Sequence, residues 1–248
     1  AMLTRTWVDR LQEGLEAVLD SADKARRLAT LYGSRLTAEY QAATDPDIGV
    51  ADVLELEALA TNGHSISIAL ANRGRETSVA GVRGATELKV FLQRERLILS
   101  DFMPILENAG LRVIAVKPFE VGESVSEGAT IYVFAVQDSD QKLLDVENRG
   151  ASLSETILAA RAGDTLSDKL NALVLSAGLH WREVDVLRGY AASAFQIGAV
   201  PSRLSIPSAL VKYPGIAKEI PDPSPTTCLP ATCPPAAQNS VSWRVPTI

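Results

Sequence analysis

Apolar residues in the first sixty positions recur three and four apart. Trp7, Leu11, Leu15, Val18 and Leu19 predict one amphipathic helix, and Leu28, Leu31, Tyr32, Leu36 and Tyr40 predict a second after a break at 21–23. The run Asp45-Pro46-Asp47 predicts a turn, because a residue before proline is pushed out of the helical region. Val53, Leu56 and Leu59 then support a third, short helix over 50–59. From Thr61 the period falls to two. Ile66 and Ile68 alternate with serines, and Leu88, Val90 and Leu92 alternate with Lys89, Phe91 and Gln93, the pattern of half-buried strands. Residues 72–86, with three glycines and mixed charge, read as a long loop between them.

The helical period returns at 99–110, where Phe102, Ile105, Leu106 and Ala109 share one face and Gly110 suits a left-handed helix end. Placing Asp101 at the N-cap puts Pro104 in the first turn, where its missing N–H has no helical partner to lose. Two strands follow, over 111–118 and 130–137, the second apolar on both faces. Strand, helix, strand, strand is half of a ferredoxin-like βαββαβ unit, so the expected class is α+β.

Residues 139–150 read as a polar linker. Beyond it Leu166, Leu170, Leu173, Val174 and Ala177 predict a helix, with Thr165 and Asp168 at capping-box spacing and Gly178 closing it. Further helices are expected over 181–195 and 207–220, the last interrupted by Pro214. Residues 221–248 hold seven of the 13 prolines and both cysteines and show no apolar period, so they are expected to be disordered. The chain divides into a helical lead-in (1–60), an α+β module (61–140), a helical region (141–220) and a proline-rich tail (221–248).

Composition narrows the chemistry. A net charge of −6 disfavours nucleic acid, and no apolar run is long enough to span a bilayer, so a cytoplasmic protein is expected. No GxG or GxxxxGK cradle and no GxSxG elbow occurs. His64 reads as an exposed loop residue and His180 as a cap or packing residue. Cys228-x4-Cys233 lacks a second ligand pair, so no metal, cofactor or catalytic residue is expected in the chain.

Three strings carry a resemblance: TRTWVDRL at 4–11, LSDFMPILENAGLRVIAVKPFEV at 99–121 and LNALVLSAGLHWREVDVLRGYAASAFQIG at 170–198. They resemble an internal stretch of the large bacterial NAD-dependent glutamate dehydrogenases, over residues 5–220. The resemblance implies an ACT-like regulatory module between helical segments, with catalysis and the NAD site elsewhere in the parent enzyme. It also implies partnership with the rest of that enzyme, or with another copy through the ACT-like sheet, and an amino-acid effector. Arg94, Ser100, Asp101 and Asn108 are the residues expected to meet an effector or interface. The stop of the resemblance near Ile220 and the non-Met first residue lead to the expectation of a fragment or a frameshifted reading. The alternative is a free-standing ACT-like sensor of amino acids.

Overall fold

The computed structural model describes residues 5–73, 78–122 and 128–220. Four helices open the chain: α1 (Trp7–Val18), α2 (Ala22–Arg35), α3 (Ala38–Ala43) and α4 (Pro46–Asn62). Thr6 and Asp9 form a reciprocal capping box at the start of α1. The helix expected to run through Tyr40 is split at Leu36, which is extended and bridges to Val121, while Gly122 N–H donates to Arg35 O. Pairing with a strand thus overrides helical period at that point. Asp45 and Pro46 are the N-cap and first residue of α4, so the expected turn is the start of a 17-residue helix.

The strands are β1 (Ile66–Ala71), β2 (Ser78–Val79), β3 (Val82–Arg83), β4 (Thr86–Gln93), β5 (Arg112–Val121) and β6 (Ala129–Gln137), with α5 (Leu99–Asn108) between β4 and β5. Four of them make an antiparallel sheet in the order β1-β4-β6-β5. β2 and β3 form a small hairpin inside the expected loop, turning at Ala80 and Gly81 with both φ positive, as a two-residue primed turn requires.

Alternation along the strands sorts two cores. Leu88, Val90, Leu92, Phe134 and Val136 face Phe102 and Leu106 of α5. Phe91, Ile131, Val133 and Ala135 face Leu11, Leu28, Tyr40, Val53 and Leu56 of the opening helices. A bulge between Val113 and Ala115 pushes Ile114 out of register, so that Val116 still faces the first core and Phe119 the second. β4 is therefore buried on both faces rather than half-buried, because the amphipathic faces of α1 to α4 require a second sheet surface to cover.

The N-cap of α5 is Ile98, which has no side-chain cap and lies three residues before the expected cap Asp101, and Pro104 lies inside the helix. The anchor is in the loop: Leu97 N–H donates to Tyr132 Oη at 3.2 Å, and Ile98 O accepts from both Asp101 and Phe102. At the other end Gly110 is left-handed, with Gly110 N–H to Glu107 O and Leu111 N–H to Leu106 O, a Schellman closure. Ile105, expected on the buried stripe, is only half-buried beside the fully buried Leu106.

The C-terminal elements are α6 (Val146–Ala162), a 3-10 turn (Lys169–Ala172), α7 (Leu173–Ser176), α8 (Trp181–Gln196), α9 (Ser205–Lys212) and α10 (Pro214–Glu219). α6 begins inside the stretch read as linker, capped by Asp145, and lays Leu153 and Ile157 on the α5 face of the sheet. α5 is thus one of two helices on that face. The helix expected from Leu166 to Ala177 begins only at Lys169, as a 3-10 turn running into α7; before it Leu166 is 67% exposed, and Asp168 caps the 3-10 segment. The tail, with Cys228 and Cys233, lies outside the described residues.

Candidate functional site

The densest charged chemistry in the described chain lies between α4 and the central strand β4. Asp52 falls on the buried stripe of α4, four and seven residues before Leu56 and Leu59, and is 2% exposed. Across from it Lys89 Nζ stands 2.6 Å from Asp52 Oδ2 and 3.5 Å from Glu87 Oε1. Tyr40 Oη donates to the same Asp52 oxygen. Arg73, just after β1, reaches Glu87 Oε1 with Nη2 at 2.8 Å and Nε at 3.0 Å. Burial pushes the Asp52 carboxyl above the usual carboxylate range, and Lys89 and Tyr40 pull it only part of the way back. Burial also pushes the Tyr40 hydroxyl well up, reinforced by the negative charge of Asp52.

A groove of about 350 Å³ opens beside this cluster, walled by Ala51, Leu54 and Glu55 of α4 and by Ala69 and Ala71 of β1. Glu55 Oε2 accepts from Ser67 Oγ at 2.8 Å. Sequence reasoning missed this site because alternation alone sends Lys89 and Glu87 to solvent. The available signal was Asp52, a carboxylate on an otherwise apolar helical stripe.

The four residues expected to meet an effector do not share one place. Arg94 follows β4 with a positive φ of 59°, exposed, its N–H bound to Gly128 O. Ser100 and Asp101 adjoin each other in the first turn of α5, with Ser100 Oγ 3.2 Å from Asp101 Oδ1. Asp101 borders a shallow cavity with Phe102, Ile105 and Arg161. Asn108 sits at the far end of α5, roughly 12 Å along the axis from Ser100. Its Nδ2 holds Ser167 O and Oγ at 3.0 and 3.1 Å.

His64 is exposed in the loop after α4. His180 caps α8 in a reciprocal box with Glu183, and its Nε2 lies 2.8 Å from Glu155. In α8, Arg188 holds Asp168 with Nε at 2.9 Å and Nη2 at 3.1 Å, and also bonds Asp185, Thr165, Asn171 and Leu166 O. One guanidinium thereby fixes the turn at 165–168, where the sequence pattern starts the helix. Among the described residues no group of three or more His, Cys, Asp or Glu is placed to hold a metal ion. No described helix is long and apolar enough to cross a membrane.

Residues 73–149 match the family model for the glutamate dehydrogenase ACT3 domain, and residues 165–222 match that for glutamate dehydrogenase helical motif 3. The NAD-specific glutamate dehydrogenase of Mycobacterium tuberculosis is 27% identical over 225 residues, and that of Halomonas elongata 29% identical over 220. Each alignment covers 88% of this chain but 13% of the relative. The enzyme of the same description from Pseudomonas aeruginosa is 36% identical over 124 residues, 50% of this chain and 8% of its own length. Two family-model matches and three relatives of one description converge on one likeness: the chain corresponds to an internal segment of the large NAD-specific glutamate dehydrogenases, spanning the ACT3 domain and helical motif 3.

Proposed function

We propose that this segment is regulatory or structural rather than catalytic, serving a large enzyme that oxidises glutamate to 2-oxoglutarate and ammonia with NAD. The observation that carries the reading is the pair of adjoining matches, ACT3 followed by helical motif 3, within alignments that take up 13% of the relatives. NAD would be bound by other parts of such an enzyme.

The strand connections support a ferredoxin-like module in permuted form. Starting from β4 and passing through α5, β5, β6 and α6, the chain traces βαββα, and the order β1-β4-β6-β5 gives β1 the place of the closing strand. In this reading 61–140 together with α6 make up the ACT-like module, 1–60 is its helical lead-in and the rest of 141–220 a helical region. Arg94, Ser100 and Asp101 around the β4–α5 loop are the proposed effector or interface contacts, and Asn108 ties α5 to the following turn. The partner is the remainder of the enzyme or a second copy, and the setting is the cytoplasm.

The test is a chimera of the Mycobacterium tuberculosis relative carrying residues 5–220 of this chain in place of its matching segment. It should keep NADH formation and assembled size, and Leu106→Asp in the graft should lose that size, since Leu106 is fully buried against the sheet. A chimera of unchanged size without turnover would overturn the reading, because the native segment would then supply catalytic groups.

A further inference from the structure

Asn62 is the only asparagine of the chain that glycine follows. It is the last residue of α4, and Gly63 is the left-handed C-cap, with a φ of 71°. Gly63 N–H donates to no described residue. The other described asparagines have their side-chain amides held: Asn72 by Leu144 O and Thr86, Asn108 by Ser167, Asn148 by Asp145, and Asn171 by Leu166 O and Arg188. The Asn62 amide alone has no hydrogen bond to a described residue. Residues 60–65 are all exposed, and a Cβ built on Gly63 would meet nothing within 4 Å. The sheet's ladder begins only beyond this link, with Gln93 N–H bonded to Ser65 O. Asn62 can therefore turn out of its helical ψ without breaking a hydrogen bond of any later residue, as the frayed end of a helix does.

We propose that Asn62 and Gly63 form a self-modification site, at which the asparagine becomes aspartate or isoaspartate through a cyclic imide, with water as the co-reactant. Gly63 N attacks Asn62 Cγ, so that an N–Cγ bond forms and the Cγ–Nδ2 bond breaks. The proton lost from Gly63 N is balanced by the one that the leaving ammonia gains. Water then opens the imide, giving aspartate where it cleaves the N–Cγ bond and isoaspartate where it cleaves the bond from Gly63 N to the Asn62 main-chain carbonyl. No electrons are transferred. The attack is intramolecular, and glycine leaves its nitrogen uncrowded because it has no Cβ. Either product puts a carboxylate at the C-terminal end of α4, where the helix dipole disfavours it and where the last turn carries no basic residue. Isoaspartate also adds a methylene to the main-chain link between α4 and β1. The site stands independently of the regulatory reading above.

The experiment is incubation of the full chain at mildly alkaline pH, native and unfolded in guanidinium chloride, followed by peptide mass spectrometry with fragmentation that separates isoaspartate from aspartate. In the folded chain Asn62 should convert at a rate within about tenfold of that in the unfolded chain, with isoaspartate among the products. Each conversion adds one negative charge to the chain's −6, so a more acidic band should grow in step on isoelectric focusing. Over the same time Asn72, Asn108, Asn148 and Asn171 should stay intact in the folded chain, since their amides are held. Gly63→Ala, whose methyl meets no neighbour, should slow the conversion about tenfold or more. Asn62 left intact in the folded chain while the unfolded chain converts, another described asparagine converting as fast in the folded chain, or undiminished conversion in folded Gly63→Ala would each overturn the proposal.

Discussion

Lys89 Nζ lies 2.6 Å from Asp52 Oδ2 with both side chains 3% exposed, and this contact ties the central strand to the helical layer above it. A pair so buried adds little net stability over an apolar pair of equal volume, yet breaking it on one side strands a charge. Lys89→Met should therefore cost about 3 to 5 kcal/mol, and adding Asp52→Leu should recover most of it. Urea unfolding midpoints of the two variants decide the matter. A double variant no more stable than the single one would mean that the pair is not the source of the loss.

Arg188 makes the corresponding tie in the C-terminal region, with its side chain 11% exposed. Lysine keeps the charge but cannot span Asp168 with two parallel N–H groups while also reaching Asp185 and Thr165. Arg188→Lys is expected to cost about 2 to 4 kcal/mol and to raise hydrogen exchange selectively in 163–172. Unaltered exchange there would show that the turn is held by Leu170 and Leu173 alone.

Much of this architecture was legible in the sequence. The helical stripes of α1, α5 and α8 lie where the pattern puts them, because each buries one continuous apolar face, and β4 and β6 fall on the runs expected to be strands. What escaped depends on partners remote in sequence. The break at Leu36 exists because that residue meets Val121, the turn at 165–168 because Arg188 draws it in, and the burial of Lys89 because α4 covers β4. The charged groove escaped for the same reason: Asp52 and Lys89 are 37 residues apart, and only the packing of α4 on the sheet joins them.

Titration offers an independent check on the capping of α1. Hydrogen bonds from the Thr6 backbone and side chain hold the Asp9 carboxyl below its ordinary 3.8. A carboxyl depressed in the folded state binds fewer protons there than in the unfolded chain. Its stabilisation is thus present above 3.8 and is lost as pH falls through the folded value. Wild type should melt above Asp9→Asn at pH 7, and the gap should close progressively below pH 3.8. A gap that is constant with pH would place the effect elsewhere than in the charge.

The most direct measurement is absorbance of NADH when the purified chain is mixed with glutamate and NAD. Hydride transfer needs a cradle for the dinucleotide and a group to take the proton, and the proposed role assigns both to other parts of the enzyme. NADH formation should be no greater than that of a heat-inactivated control. Glutamate-dependent turnover above that control, abolished by heat, would contradict the proposed role.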